Sequence, residues 1–139
     1  MKLTRHTIVN LATILGGIKI NRIEDKDAKA ALLKDYLALR KVAKEAEADR
    51  DEIVRKFQED WKDELAAVEA YRREKKPVVG HLDYLEAERD ANKAIQDTFA
   101  KEVELTLAPV PFDAIEDVSE DITLEQVAFL QDNGIIKEE

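Results

Sequence analysis

LLKDYLALRKVAKEAEADRDEIVRKFQEDWKDELAAVEAY, residues 32–71, is a charged stretch without glycine or proline. Its apolar side chains recur mostly at steps of three and four, which places them along one face of a helix. This apolar seam comprises Leu32, Tyr36, Leu39, Ala43, Ala46, Ile53, Phe57, Trp61, Leu65, Val68 and Tyr71. The stretch therefore predicts one long amphipathic helix, and this helix decides the fold.

The length of that helix limits how it can pack. Asp25 or Asp27 is suited to cap its start and Pro77 ends it, so an unbroken helix would be about 70 Å long. That is too long for a compact globule of this size. Since Arg50 interrupts the apolar seam, we expect the helix to bend near Glu45–Glu52, to project as an arm, or to pair with another chain.

A shorter amphipathic helix follows the long one. Pro77 and Gly80 provide a tight turn between them. The apolar face of the shorter helix comprises Leu85, Ala91, Ala94, Ile95, Thr98 and Phe99. Because a short connection between amphipathic helices favours antiparallel neighbours, we expect a helical hairpin with Phe57, Trp61 and Phe99 in its core.

Capping signals delimit a helix near each end of the chain. Thr4 is suited to cap a first helix, which the glycines at residues 16–17 end. Thr123 and Gln126 have the spacing of a capping box, and Gly134 follows as the left-handed residue that stops a last helix. We therefore predict a short helix at either end of the sequence.

Residues 103–108 alternate apolar and polar side chains, a pattern typical of a half-buried strand. Pro109 and Pro111 stop this strand, which restricts it to the edge of a sheet. Its expected partner is Met1–Thr4, with Gly17–Arg22 as the alternative within the chain. Pairing with another molecule is the remaining alternative.

These signals predict a mainly α fold. A long helix pairs with a shorter antiparallel helix as a helical hairpin, an N-terminal helix precedes them, and the terminal segments are the candidates for a small β-sheet. The length of 139 residues suits a single domain. Within it, we expect an N-terminal helix and connector at 1–24, the hairpin at 25–102, and the strand-like segment and C-terminal helix at 103–139.

Composition excludes several classes of function. The net charge is −9, from 22 basic and 31 acidic side chains, so the surface repels phosphate and nucleic-acid binding is not expected. The chain has no cysteine, which excludes disulfides and thiolate chemistry. Asn10 and Thr13 interrupt the N-terminal apolar run, and no segment approaches a membrane span. We expect a cytoplasmic protein without a membrane partner.

No residue pattern predicts an enzyme, a metal site or a cofactor site. His6 and His81 are far apart in sequence and belong to no metal-binding spacing. The carboxylates of residues 45–52 lack the glycine and the spacing of a calcium loop. Ser119, the only serine, has no histidine at a catalytic spacing. We predict a protein without catalytic residues, bound metal or cofactor.

What remains is surface for protein contacts. Leu105 and Leu107 of the strand-like segment, and Val127 and Leu130 of the last helix, are the candidate partner-binding residues. The apolar seam of the long helix is a further candidate, for self-association as a coiled coil. The last helix also suits packing on its own domain, which we favour. We predict a protein partner or self-association.

The order of these elements resembles a known group of proteins. MKLT at the start, a helix, a long charged helix, a turn and a shorter helix lead to VELTLAPVPFDAIED and ITLEQVAFL. This arrangement resembles small proteins of unknown function that tailed bacteriophages and prophages encode, and the resemblance covers most of the chain. It implies a non-enzymatic phage or prophage accessory or structural protein that acts through protein–protein contacts. The alternatives are a host coiled-coil adaptor or regulator, and a small metal-dependent enzyme, which would need a convergent carboxylate cluster.

Overall fold

The computed structural model describes residues 1–75 and 81–138, and it is mainly helical. In chain order, the elements are β1 (Lys2–Thr4), α1 (Arg5–Gly16), α2 (Lys26–Asp60), α3 (Lys62–Arg73), α4 (Leu82–Ala100), β2 (Glu102–Glu104) and α5 (Leu124–Asp132). Short 3-10 turns lie at Ile20–Arg22, Phe112–Ala114 and Glu116–Val118. The predicted fold class is confirmed: a long helix packs on other helices, with an N-terminal helix and a small two-stranded antiparallel sheet. The turn predicted at Pro77 and Gly80 lies outside the described residues.

The long helix α2 follows from the seam and from its cap. The Asp25 carboxylate accepts hydrogen bonds from the backbone N–H groups of Asp27 and Ala28, which satisfies donors that the first turn leaves free. All the seam residues are buried or half-buried, whereas Arg50 is exposed. α2 continues without a break through Glu45–Glu52.

The interruption of the helix lies further on, at Trp61. This residue has φ −119° and ψ 20°, and α3 begins directly after it. The backbone N–H of Trp61 still bonds to the carbonyl of Phe57, and that of Leu65 bonds to the carbonyl of Trp61. A single non-helical residue therefore separates α2 from α3, at a place other than the bend that the sequence suggested.

The chain divides into two compact units. The terminal unit consists of Met1–Glu45 together with Lys101–Glu139, and the central unit consists of Ala46–Ala100. One boundary lies close to the predicted end of the hairpin at 102, whereas the other lies inside α2. Compactness alone does not test independent folding, so the single-domain assignment stays a prediction.

The terminal unit brings the two ends of the sequence into one core. β1 and β2 pair antiparallel, with Leu3 opposite Val103. The fully buried side chains of this core include Ile8, Leu11, Leu15, Leu32, Leu39, Ile115, Leu130 and Ile135. Thr4 caps α1 by accepting from the backbone N–H of Thr7. Helices α1 and α2 supply about half of the buried core residues, and the connecting segments and the C-terminal residues supply most of the rest.

The segment after β2 is held by contacts other than a strand ladder. The predicted strand over 103–108 is shorter in the structure, and it pairs with Met1–Thr4 as favoured. The alternative partner is wrong, because Ile20–Arg22 forms a 3-10 turn. Further along, Val110 forms a parallel bridge with Ile136.

The predicted ends of α5 are confirmed. Thr123 and Gln126 form a complete capping box, in which each side chain accepts from the other residue's backbone N–H. Gly134 has φ +80°, the left-handed conformation that glycine adopts without a Cβ clash. These local signals bring Ile135 and Ile136 back onto the core, where both are buried.

Candidate functional site: a cleft in the central unit

An aromatic cluster joins α4 to the end of α2 in the central unit. Tyr84, which is only 1% exposed, lies at its centre. Its ring centroid is 5.3 Å from that of Phe57 and 6.0 Å from that of Trp61, the latter edge-on. Such tilted and T-shaped contacts match the quadrupoles of aromatic rings. The three residues predicted for the hairpin core are half-buried rather than fully buried: Phe57 and Trp61 lie around Tyr84, and Phe99 lies further along α4.

A charged pair joins α3 to α4 beside this cluster. Both terminal nitrogens of Arg72 donate to the Glu88 carboxylate, at 3.0 Å and 2.7 Å. The hydrogen bonds from Arg72 hold the pKa of Glu88 below its usual value, and the same bonds raise the pKa of Arg72. The pair has the bidentate geometry that gives arginine–carboxylate contacts their directional preference.

Tyr84 also faces this pair. Its hydroxyl lies 3.5 Å from Glu88 Oε2, which is long for a hydrogen bond from a hydroxyl. Burial raises the pKa of Tyr84, and the negative charge of Glu88 raises it further. The hydroxyl is therefore neutral across the physiological range, and the ring serves mainly as packing surface.

These side chains border a cleft of about 260 Å³. Its lining residues are Val54, Phe57, Gln58, Leu65, Glu69, Arg72, Tyr84, Glu88, Ala91, Asn92 and Ile95. The lining combines apolar walls with a few charged and amide groups, as in sites that bind one buried side chain or a small molecule. Within residues 1–75 and 81–138, Arg72 neutralises Glu88 whereas Glu69 belongs to no ion pair.

A wider depression of about 520 Å³ lies between α1 and α5 in the terminal unit. Its polar groups largely serve their own backbone. The Thr13 hydroxyl donates to the carbonyl of Val9, and Thr123 and Gln126 form the capping box. With these groups engaged, the depression offers few convergent contacts to a ligand. The cleft of the central unit is therefore the better candidate site.

The two histidines belong to different units. His6 is exposed on α1, in the terminal unit. His81 belongs to the central unit, where its Nδ1 lies 3.2 Å from Glu64 Oε2 and its ring lies 6.0 Å from that of Tyr71. Among the described residues, no three His, Asp or Glu side chains form a group that could hold a metal ion.

One buried carboxylate was not anticipated from the sequence. Asp35 on α2 is 2% exposed, and its Oδ1 accepts a hydrogen bond from the backbone N–H of Ala108 at 2.9 Å. Its Oδ2 has no hydrogen-bond partner in the described part of the chain. Burial raises the pKa of Asp35 to about 6, although the Ala108 bond and the nearby Lys34 charge both favour the ionised form.

The four residues predicted to bind a partner all belong to the terminal unit. Leu105, Leu107 and Val127 are half-buried and pack against its core. Leu130 is fully buried, so it presents no surface in the folded chain. Their present contacts are internal, and a role in partner binding stays a prediction.

The sequence does not predict most of the residues that line the cleft, because they belong to no recognisable motif. Tyr84 is not among the residues predicted for the apolar face of α4, although it lies at helical spacing with Glu88, Ala91 and Ile95. The charged side chain of Glu88 interrupts this row, so that it does not stand out as an apolar face. The spacing itself was the signal that could have revealed it.

Comparison with protein-family models, with curated protein sequences and with solved structures finds no match to this chain. No helix among residues 1–75 and 81–138 is both long and apolar enough to cross a bilayer. The inference of function therefore rests on the residues and their geometry.

Proposed function

We propose that the protein is a non-enzymatic phage or prophage accessory protein that acts through protein–protein contacts. The phage context rests on the sequence resemblance alone. The mode of action rests on one observation, the cleft of the central unit, whose walls are apolar and whose charged lining is net acidic. We also propose a cytoplasmic location, because a chain without cysteine needs no oxidising compartment.

The chemistry of the cleft selects one kind of partner. A volume of about 260 Å³ suits an aliphatic or aromatic side chain, since Phe57, Leu65 and Ile95 offer apolar contact. Glu69 adds a second carboxylate to the lining, so that the single cation Arg72 faces two acidic groups. The central unit has 15 acidic against 10 basic residues, a net charge of −5. We therefore expect an amphipathic helix of the partner, with an apolar anchor flanked by lysine or arginine.

A designed peptide tests this proposal directly. The probe is an amphipathic helical peptide of leucine and lysine, and its match is the same peptide with glutamate in place of lysine. Isothermal titration calorimetry is expected to detect binding of the basic peptide only, because the acidic one is repelled by the lining. Equal binding of the basic and the acidic peptide would contradict the proposal.

Two substitutions on α4 locate the binding. Ala91 lines the cleft, so Ala91→Phe fills it and is expected to weaken binding of the basic peptide by about tenfold or more. Ala94→Phe adds the same side chain at an exposed position outside the lining and serves as the control. Circular dichroism verifies that both variants fold. If the two variants bind alike, the cleft is not the site.

The genetic context tests the phage assignment separately. Neighbouring genes for capsid, portal or tail proteins would support it, whereas housekeeping neighbours would count heavily against it. Light scattering after size exclusion distinguishes a monomer from an oligomer. A clean monomer would remove self-association through the seam of α2 as the mode of contact.

A further inference from the structure

The small sheet of the terminal unit has an unpaired edge. The N–H of Leu105 bonds to the carbonyl of Met1, and the N–H of Arg5 bonds to the carbonyl of Lys101. In an antiparallel ladder, these bonds alternate with non-bonded pairs, so the backbone groups of Glu102 and Glu104 point away from β1. Within residues 1–75 and 81–138, the sheet consists of β1 and β2.

The outward groups have no partner elsewhere in the described chain. Within residues 1–75 and 81–138, no hydrogen bond involves the backbone N–H or C=O groups of Glu102, Glu104 and Thr106. All three residues are exposed. Glu102 and Glu104, the two outer residues of β2, therefore present two donors and two acceptors along one edge at the spacing of a β-strand.

The two faces of this edge differ in chemistry. Glu102, Glu104 and Thr106 lie on the solvent face, whereas Val103 and Leu105 are half-buried on the face toward the core. The Glu104 carboxylate already accepts a hydrogen bond from the ammonium group of Met1, with 2.9 Å between the nitrogen and Oε1. No ion pair in the described chain includes Glu102. The edge strand thus carries negative charge on its solvent face and apolar side chains on the face toward the core.

We propose that the outer edge of β2 is a docking site for an extended segment of a partner protein in which basic and apolar residues alternate. The segment adds a third strand through backbone hydrogen bonds to Glu102 and Glu104. Its basic side chains lie beside the two glutamates, and its apolar side chains lie beside Val103 and Leu105. A second copy of this edge is disfavoured, since it would bring glutamates together. The proposal is independent of the cleft, which lies in the other unit.

The test uses the full chain and a short capped peptide of alternating lysine and valine. Binding is expected to protect the amides of Glu102 and Glu104 from hydrogen exchange, because strand addition covers them. A matched peptide carries N-methyl groups on alternate residues, so that it keeps its charge but loses the donors that face β2. It is expected to bind about tenfold more weakly or not at all.

Two charge variants complete the design. Glu102→Lys is expected to weaken binding of the lysine–valine peptide by about tenfold. Glu120→Lys makes the same charge change at an exposed position outside the strand and is expected to leave binding nearly unchanged. Melting curves verify the fold of both. Absence of binding, absence of amide protection, or equal binding by the N-methylated peptide would each overturn the proposal.

Discussion

Asp35 Oδ1 accepts a hydrogen bond from the backbone N–H of Ala108 at 2.9 Å, across 73 positions of sequence. This bond takes the place of a ladder bond, because the segment after β2 has left the sheet at that point. It fixes the segment to α2 but leaves the other carboxylate oxygen buried without a partner. The terminal unit therefore contains a carboxyl group whose protonation alters its stability.

The stability of the terminal unit is expected to depend on pH through Asp35. Its pKa is about 6 in the folded chain against an ordinary value of 3.8, so the folded state binds the proton more tightly. The resulting stabilisation is fully present below the unfolded pKa and is lost as the pH rises through about 6. It amounts to about 3 kcal/mol. Urea unfolding followed by far-UV circular dichroism measures it.

Asp35→Asn is the control for that dependence. The amide oxygen can still accept from Ala108, but the side chain no longer titrates. The free-energy difference between the parent chain and this variant is expected to shift by about 2 kcal/mol between pH 4 and pH 7, in favour of the parent at low pH, because pH 4 already lies just above the ordinary pKa of 3.8. A difference that stays constant over this range would contradict the assignment.

Tyr84 is expected to stabilise the central unit through its ring. Tyr84→Ala removes a ring that is 1% exposed and leaves a cavity, at a cost of about 3–5 kcal/mol. Tyr84→Phe is expected to cost less than about 1 kcal/mol, because the hydroxyl contact to Glu88 is long. Trp61, the only tryptophan, reports this unit by its fluorescence. Comparable losses in the two variants would show that the hydroxyl matters.

The ion pair of Arg72 and Glu88 is expected to make a small contribution to the stability of the central unit. The side chains are 47% and 27% exposed, so solvent screens their attraction. A double-mutant cycle with Arg72→Gln and Glu88→Gln is expected to give a coupling energy of about 0.5–1 kcal/mol. Because the pKa of Glu88 is lowered, the coupling is present at neutral pH and is lost as the pH falls through that lowered pKa. A coupling that survives protonation would refute an ionic origin.

Leu105 and Leu107 are expected to stabilise the terminal unit. Both side chains pack against its core, so Leu105→Asp and Leu107→Asp each bring a charge toward apolar surface. Each substitution is expected to lower the free energy of unfolding by about 2–3 kcal/mol or more. Thr106→Asp, exposed between them, is expected to change stability by about 0.5 kcal/mol or less. Thermal unfolding measures all three. Leucine variants that stay fully stable but lose an assembly partner would instead support the predicted partner role.

The sequence predicted the features that depend on local spacing. The seam from Leu32 to Tyr71 is confirmed because helical periodicity is a property of neighbouring residues. The same holds for the capping box at Thr123 and for the left-handed Gly134. The pairing of β2 with Met1–Thr4 was predictable for a different reason, since few other segments had strand character.

The missed features depend on residues that are distant in sequence. The environment of Asp35 is made partly by Ala108, which no local pattern connects to it. A signal existed nonetheless, because an acidic residue three positions after Leu32 and four before Leu39 lies on the buried face of α2. The break at Trp61 had no comparable signal, since the apolar seam continues across it.

The discontinuity of the terminal unit sets the order in which the chain folds on the ribosome. The central unit is contiguous, so all of its residues have emerged once α4 has left the exit tunnel, whereas β1 waits for β2 before the sheet can pair. At ~5–20 residues per second, this delay is on the order of ten seconds. During that interval Leu3 of β1 has no strand partner on the nascent chain, because Val103 opposite it has not yet been synthesised. The first strand of the sequence is therefore the last to find its place in the sheet.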